Sequence, residues 1–299
     1  MTAKQAIQEQ PTSSGSVGEF DQNWQERKET HYNHWVKGAL QNQIQLAFRS
    51  HWKLFRDILK DRPMQNCLEV GCGRGSLSSY FADNGVECTL LDTSASILET
   101  AEKVFDANGH KATFVEGNAL DMPFDDNSFD VVASIGLLEH FEDIKSPIHE
   151  QIRVLRPGGT FFGYIVPERP ENVQKNYNWI NKILKFFAKV FVSEENAPPP
   201  KTDIFRSDFG SERYLPVLEG QPVTDIEVCG MYPLPMVSHS PEFPFSLLPK
   251  PLEWCLTRIF LFVLWIRKKM FGKTLYKGNP WTCKEAFGQA FLVTFRKAE

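Results

Sequence analysis

The stretch Leu68-Glu69-Val70-Gly71-Cys72-Gly73-Arg74-Gly75 sets three glycines at alternate positions between an apolar strand and a helical pattern. Glycine tolerates positive φ and lacks the Cβ that would hold a ligand away, so such a turn brings bare backbone against whatever binds at the following helix N-terminus. A second apolar strand, Val86 to Asp92, ends in Leu90-Leu91-Asp92. Its terminal carboxylate falls about 20 residues beyond the glycines, at the tip of the next parallel strand, where it can accept both hydroxyls of a ribose. A nucleoside-bearing cofactor is implied.

Dinucleotide folds space their glycines G-x-G-x-x-G, whereas Gly71, Gly73 and Gly75 are one residue tighter. With Glu69 in front, the loop resembles the E/D-x-G-x-G-x-G motif of the class I S-adenosylmethionine-dependent methyltransferases. Further segments follow in order: Gly117-Asn118-Ala119-Leu120-Asp121-Met122-Pro123-Phe124, Ser128-Phe129-Asp130-Val131-Val132, Leu137-Leu138-Glu139-His140 and Arg153-Val154-Leu155-Arg156-Pro157-Gly158-Gly159. Together they resemble the ubiquinone/menaquinone-type small-molecule branch, type 11, from about Asn66 to Val166.

The resemblance implies S-adenosyl-L-methionine as cofactor and a set of site residues. Glu69, Gly71, Cys72, Gly73 and Gly75 would hold its methionine portion, and Asp92 with Thr93 its ribose. Asn118 and Ala119 would lie beside the adenine, with an amide where the family usually has Asp. Ser134 and Leu137 would complete the crevice after the fourth strand. His140 would overlook the methyl group as a general base, since neutral imidazole accepts a proton near pH 7. Glu69 has an alternative role as a carboxylate capping the loop, and His140 one as a residue that orients backbone. No metal-ligand constellation is present in the sequence.

Apolar spacing from Leu40 to Leu59 predicts a helix that stops at Asp61-Arg62-Pro63. Strands are expected at 67–70, 86–92, 113–116, 129–134 and 160–166. Helices fall between them, one capped at Thr93 or Ser94 and closed by Asn108-Gly109. This alternation predicts an α/β, Rossmann-like, doubly wound sheet whose ligands bind outside the carboxyl ends of the strands. The resemblance adds a sixth strand, with Thr224 to Met231 as candidate, and an antiparallel seventh at Ala290 to Arg296.

The domain reading is a disordered leader at 1–18, an N-terminal helical cap at 19–63, a cofactor-binding core at 64–166, a lid insertion at 167–284 and a final strand at 285–299. The leader lacks an apolar h-region, and Trp24, Tyr32, His34 and Trp35 are candidates for an aromatic cap over the crevice. Six cysteines without a C-x-x-C pair suit reduced, buried thiols and a cytoplasmic location.

A formal charge of −4, with 33 basic and 37 acidic residues, offers no general attraction to nucleic acid. Ser134-Ile135-Gly136-Leu137 also departs from the motif by which amino-methylating DNA enzymes hold a base. A small, hydrophobic or lipid-like acceptor is the expected partner. The segments 177–192 and 252–271 combine apolar faces with lysines. Each falls short of the roughly 20 apolar residues that span a bilayer, so they are either lid helices or a peripheral membrane surface. The alternatives to a small-molecule methyltransferase are a cofactor-binding regulatory or assembly protein without turnover, and a nicotinamide oxidoreductase, which the tight glycines disfavour.

Overall fold

The computed structural model describes residues 34–169, 173–191, 205–231, 233–235, 237 and 248–299. The leader, Trp24, Tyr32, the Ala197–Pro200 run and most of the proline-rich stretch 232–251 lie outside the described residues.

The elements are α1 (Gln43–Ile58), β1 (Asn66–Val70), α2 (Ser78–Ala82), β2 (Glu87–Asp92), α3 (Ala95–Asn108), β3 (Ala112–Glu116), β4 (Phe129–Ile135), α4 (Lys145–Val154), β5 (Leu155–Ile165), α5 (Asn178–Phe191), α6 (Ser211–Tyr214), β6 (Val223–Met231), α7 (Lys250–Phe271), β7 (Thr282–Cys283) and β8 (Ala290–Lys297). They build one eight-stranded sheet in the order β3-β2-β1-β4-β5-β8-β6-β7. The first five strands pair in parallel, while β8 runs antiparallel between β5 and β6. The doubly wound expectation is therefore met. The sheet has one strand more than the seven expected, because Thr282 and Cys283 add a two-residue edge ladder to β6.

Local chemistry explains the helix boundaries. Asn42 caps α1 by accepting the Gln45 amide at 2.8 Å. Ser94, rather than Thr93, caps α3 through the Ile97 amide at 3.3 Å. Gly109, at φ 69°, ends α3 in the left-handed conformation that favours glycine. Strand β5 begins five residues before the expected Thr160, since Leu155 already pairs with Phe129. Gly159 permits this, because a Cβ there would lie 2.8 Å from the Arg156 carbonyl and 2.9 Å from that of Asp130.

Two apolar layers sandwich the sheet. On one side Phe55 of α1 stacks on Phe162 of β5, with centroids 4.2 Å apart, and Trp52, Phe81 and Phe105 extend this core. On the other, Ile148 and Ile152 of α4 join Phe161, Tyr214, Phe291 and Phe295. His34 and Trp35 are buried as well, His34 stacked on Phe48 at 4.7 Å. Four of the six free cysteines are buried; Cys255, on the outer side of α7, is exposed, and Cys283 is partly so.

Helix α7 is tied to α1 and to the segment just before it by polar groups. The Gln43 amide donates to Glu253 at 2.9 Å, and Arg258 donates to the Leu40 carbonyl at 3.1 Å. Further along, Arg267 donates to the carbonyls of Pro280 and Thr282 at 3.0 and 2.8 Å.

The loop after β3 is braced by Arg153 of α4. Its guanidinium donates to the carbonyls of Phe124 (2.7 Å) and Met122 (3.0 Å) and pairs with Asp126 and Glu150. Glu150 in turn accepts the Met122 amide at 2.9 Å. Only a planar fork serves all these acceptors at once. Arg153→Ala is expected to lower stability in urea denaturation by about 2 kcal/mol, and Arg153→Lys to recover only a minor part.

Candidate functional site

Four loops leave the carboxyl ends of β1, β2, β3 and β4 side by side, and backbone bonds lock three of them together. The Cys72 amide donates to the Leu91 carbonyl at 3.0 Å, and the Gly117 amide to the Asp92 carbonyl at 3.0 Å. Asp92 adds its side chain: one carboxylate oxygen accepts the Gly73 amide at 3.0 Å and the other the Ser94 amide at 3.2 Å. A half-buried carboxylate thus fixes the glycine loop against the start of α3 while remaining at the crevice rim.

The three glycines differ in what they do. All have positive φ (64°, 51° and 66°). A Cβ on Gly71 would lie 2.8 Å from Leu137, so the loops after β1 and β4 meet there. One on Gly75 would strike Leu90 at 2.5 Å and Phe105 at 2.7 Å. Gly75 therefore answers to packing of the loop on the sheet and α3, and the space beside it is filled by protein.

Glu69 is buried and directed at the start of α2, where one oxygen accepts both the Ser78 amide (2.8 Å) and its hydroxyl (2.5 Å). Burial pushes its pKa up to about 7 against the opposing pull of Ser78, with the nearby Asp92 charge adding to the rise. The loop-capping alternative describes this geometry. Cys72 is buried, and burial raises its thiol well above the ordinary range, so it is an inert wall.

Asn118 is exposed, its side-chain oxygen accepting the Leu120 amide at 3.0 Å in a local turn, while Ala119 beside it is buried. Thr93 is half-buried next to Asp92. Ser134 is buried at the end of β4, and its hydroxyl has no hydrogen-bond partner among the described residues.

After β4 the chain makes one helical turn, Leu138–His140. A segment from outside the core sequence crosses it: the Ser207 amide donates to the Glu139 carbonyl at 2.9 Å, and His140 Nδ1 sits 2.6 Å from the Phe205 carbonyl. Since a carbonyl only accepts, Nδ1 carries the proton of the neutral ring. Burial lowers the His140 pKa to about 4, opposed by the Phe205 contact and helped by Arg206. Sequence reasoning had no signal for residues 205–208, because an irregular segment has no periodicity.

Glu139 is fully buried, and among the described residues no other side chain hydrogen-bonds either carboxylate oxygen. Desolvation pushes its pKa up to about 7, with Arg206 and the amides of Glu139 and Val166 pulling the other way.

Residues 68–163 match the family model described as a methyltransferase domain, which bears out over that span the resemblance carried by the motifs. Among curated relatives, the demethylmenaquinone methyltransferase of Listeria monocytogenes is 38% identical over 122 residues, covering 38% of this chain and 51% of that protein. Ajmaline N-methyltransferase of Rauvolfia serpentina is 36% identical over 109 residues, covering 36% of this chain and 37% of that protein. The chain thus spans about half or less of the length of these relatives. The crystal structure of the [4+2]-cyclase SpnF shares the fold, with a TM-score of 0.50 at 18% identity over 93% of this chain and 92% of that one.

Both buried carboxylates have folded pKa values above their ordinary 4.5, so each favours the folded state fully below pH 4.5 and loses that contribution as pH rises through about 7. Glu139→Gln carries no proton to lose. Its stability relative to wild type is expected to improve by up to about 3 kcal/mol between pH 4 and pH 8 in chemical denaturation.

Proposed function

We propose that this chain is an S-adenosylmethionine-dependent methyltransferase acting on a small, hydrophobic acceptor, and that it works at a membrane surface. The observation that carries the first part is Asp92, a carboxylate at the tip of β2 that ties the glycine loop to α3 and still faces the crevice rim.

The residues fit the cofactor. Gly73 offers backbone without Cβ beside Asp92, Gly71 packs on Leu137, Asp92 and Thr93 stand where a ribose would be held, and Asn118 with Ala119 lines the third loop. Ser134 and Leu137 close the crevice from the β4 side. When bound, S-adenosylmethionine supplies a methyl group already activated on a sulfonium. The protein's tasks are then to align the acceptor, exclude water and receive a proton where the acceptor has one to lose.

Asp92→Ala is expected to weaken S-adenosylmethionine binding more than tenfold in titration calorimetry, the loss of a charge-assisted bond worth about 1.5 to 3 kcal/mol. Asp92→Asn keeps an acceptor for the Gly73 amide and separates the loop tie from the ribose contact. Unchanged affinity in a folded Asp92→Ala protein would remove the assignment. Binding without release of S-adenosylhomocysteine across a broad panel of acceptors would favour the regulatory alternative.

The membrane reading rests on α7. Its Thr257, Phe260 and Leu264 are buried, yet the opposite side presents Ile259, Phe262, Val263 and Met270 to solvent, with Phe262 60% and Met270 68% exposed. Trp254 and Trp265 flank this strip, Arg258 lying over the first ring at 4.7 Å and Lys269 over the second at 4.2 Å. An apolar strip rimmed by aromatic rings and cations is the composition of an interfacial helix on anionic lipid. Among the described residues no helix is long and apolar enough to cross a membrane. On α5, Trp179, Ile183 and Phe186 are exposed alongside Lys182.

Flotation with phosphatidylserine vesicles tests this. The protein is expected to rise with the vesicles at low salt and to be released as salt increases. Ile259→Asp/Phe262→Asp is expected to stay in the soluble fraction. A wild-type protein that does not float, or that buries this strip in a stable dimer instead, would leave α7 outside any lipid surface.

A further inference from the structure

We infer that Glu139 receives the polar end of the methyl acceptor, so that the acceptor carries an N–H or O–H donor and hands its proton to this carboxylate. The inference rests on the methyltransferase reading and adds to it the chemical class of the acceptor and the group that meets it.

Position comes first. Glu139 follows β4 at the carboxyl edge of the sheet, beyond Gly136 and Leu137, and so belongs to the same crevice as the glycine loop. Its Oε1 lies 3.6 Å from where a Cβ on Gly136 would be, so the glycine leaves that side of the carboxylate uncovered by side chain. The second observation is its isolation. The side chain is fully buried, and among the described residues no other side chain gives either oxygen a hydrogen bond; besides the Arg206 charge, only the backbone amides of Glu139 and Val166 favour its ionised form. A buried carboxylate with no side-chain donor is costly, and such groups survive where something other than the fold requires them.

The groups around it do not discharge that cost. Arg206 is exposed and acts on Glu139 only through its charge, while the phenols of Tyr164 of β5 and Tyr214 of α6 are raised chiefly by their own burial, with the Glu139 charge adding to the rise. His140 is turned to the Phe205 carbonyl. Ser134 contributes a further buried hydroxyl with no hydrogen-bond partner among the described residues. Behind Tyr164 lies His51, its ring centroid 4.5 Å away and neither ring nitrogen hydrogen-bonded among the described residues, with Trp281 at 5.9 Å. An aromatic wall beside a buried carboxylate that no other described side chain hydrogen-bonds suits a flat acceptor with a polar donor at one end.

In the transfer, a bond forms between the acceptor nitrogen or oxygen and the methyl carbon. The methyl carbon–sulfur bond breaks with its electron pair remaining on sulfur, and the acceptor proton passes to Glu139. Burial holds this carboxyl near pH 7, where a general base works best, while His140 is held far below.

The test uses the whole chain loaded with S-adenosylhomocysteine and three probes: 1,4-dihydroxynaphthalene and tryptamine, which carry donors, and naphthalene, which does not. At least one donor probe is expected to bind wild type at least tenfold more tightly than naphthalene, and Glu139→Gln to lose that preference while keeping its S-adenosylhomocysteine affinity. If a donor probe is methylated, the acidic limb of its pH–rate profile near pH 7 is expected to disappear in Glu139→Gln and to persist in His140→Ala. A wild type that binds neither donor probe better than naphthalene, or a Glu139→Gln protein that retains the preference, overturns the inference. Failure of wild type to bind S-adenosylhomocysteine at all would instead sink the methyltransferase reading.

Discussion

One carboxylate at a strand tip organises the crevice. Asp92 joins the Gly73 amide to the Ser94 amide, and its own carbonyl takes the Gly117 amide, so the turns after β1, β2 and β3 share a single anchor. A parallel sheet ends in unpaired backbone at this edge, and loops that were merely adjacent would move independently. Cross-linking them through charge-assisted bonds makes the edge a rigid surface before any ligand arrives, which lowers the ordering cost of binding. Below it, the Arg153 fork secures the loop after β3 in the same fashion.

The motif half of the chain was legible because its constraints are local. Alternating apolar strands, the Ser94 cap and the left-handed Gly109 each follow from a few neighbouring residues, and each stands close to where the sequence puts it. The start of β5 was missed because pairing of Leu155 with Phe129 depends on a neighbouring strand and on the close backbone approach at Gly159. The short β7 was missed for a similar reason: two residues have no period, and their pairing is decided by β6.

The site divides along the same line. The sequence places Asp92 and the glycines at one edge, as the structure does, but it cannot separate glycines that free space from those that fill it. Gly75 belongs to the second kind, pressed against Leu90 and Phe105. Nor could it apportion Glu139 and His140, adjacent letters of one motif. What distinguishes them is the passage of residues 205–208 overhead, where the Phe205 carbonyl meets the imidazole, while among the described residues no other side chain hydrogen-bonds the carboxylate.

The position of β8 bears on how the chain can assemble. It pairs on one side with β5 and on the other with β6, although both precede it in the sequence. During vectorial synthesis β1 to β5 can zip together as they emerge, each new strand meeting a neighbour already present. Strand β6 has no such partner in the nascent chain. It must wait until residues 290–297 leave the ribosome and insert, with the intervening α7 and its apolar strip exposed meanwhile. The half carrying β1 to β5 is thus poised to mature early, whereas the stretch from β6 to β8 is the one on which a holding chaperone has time to act.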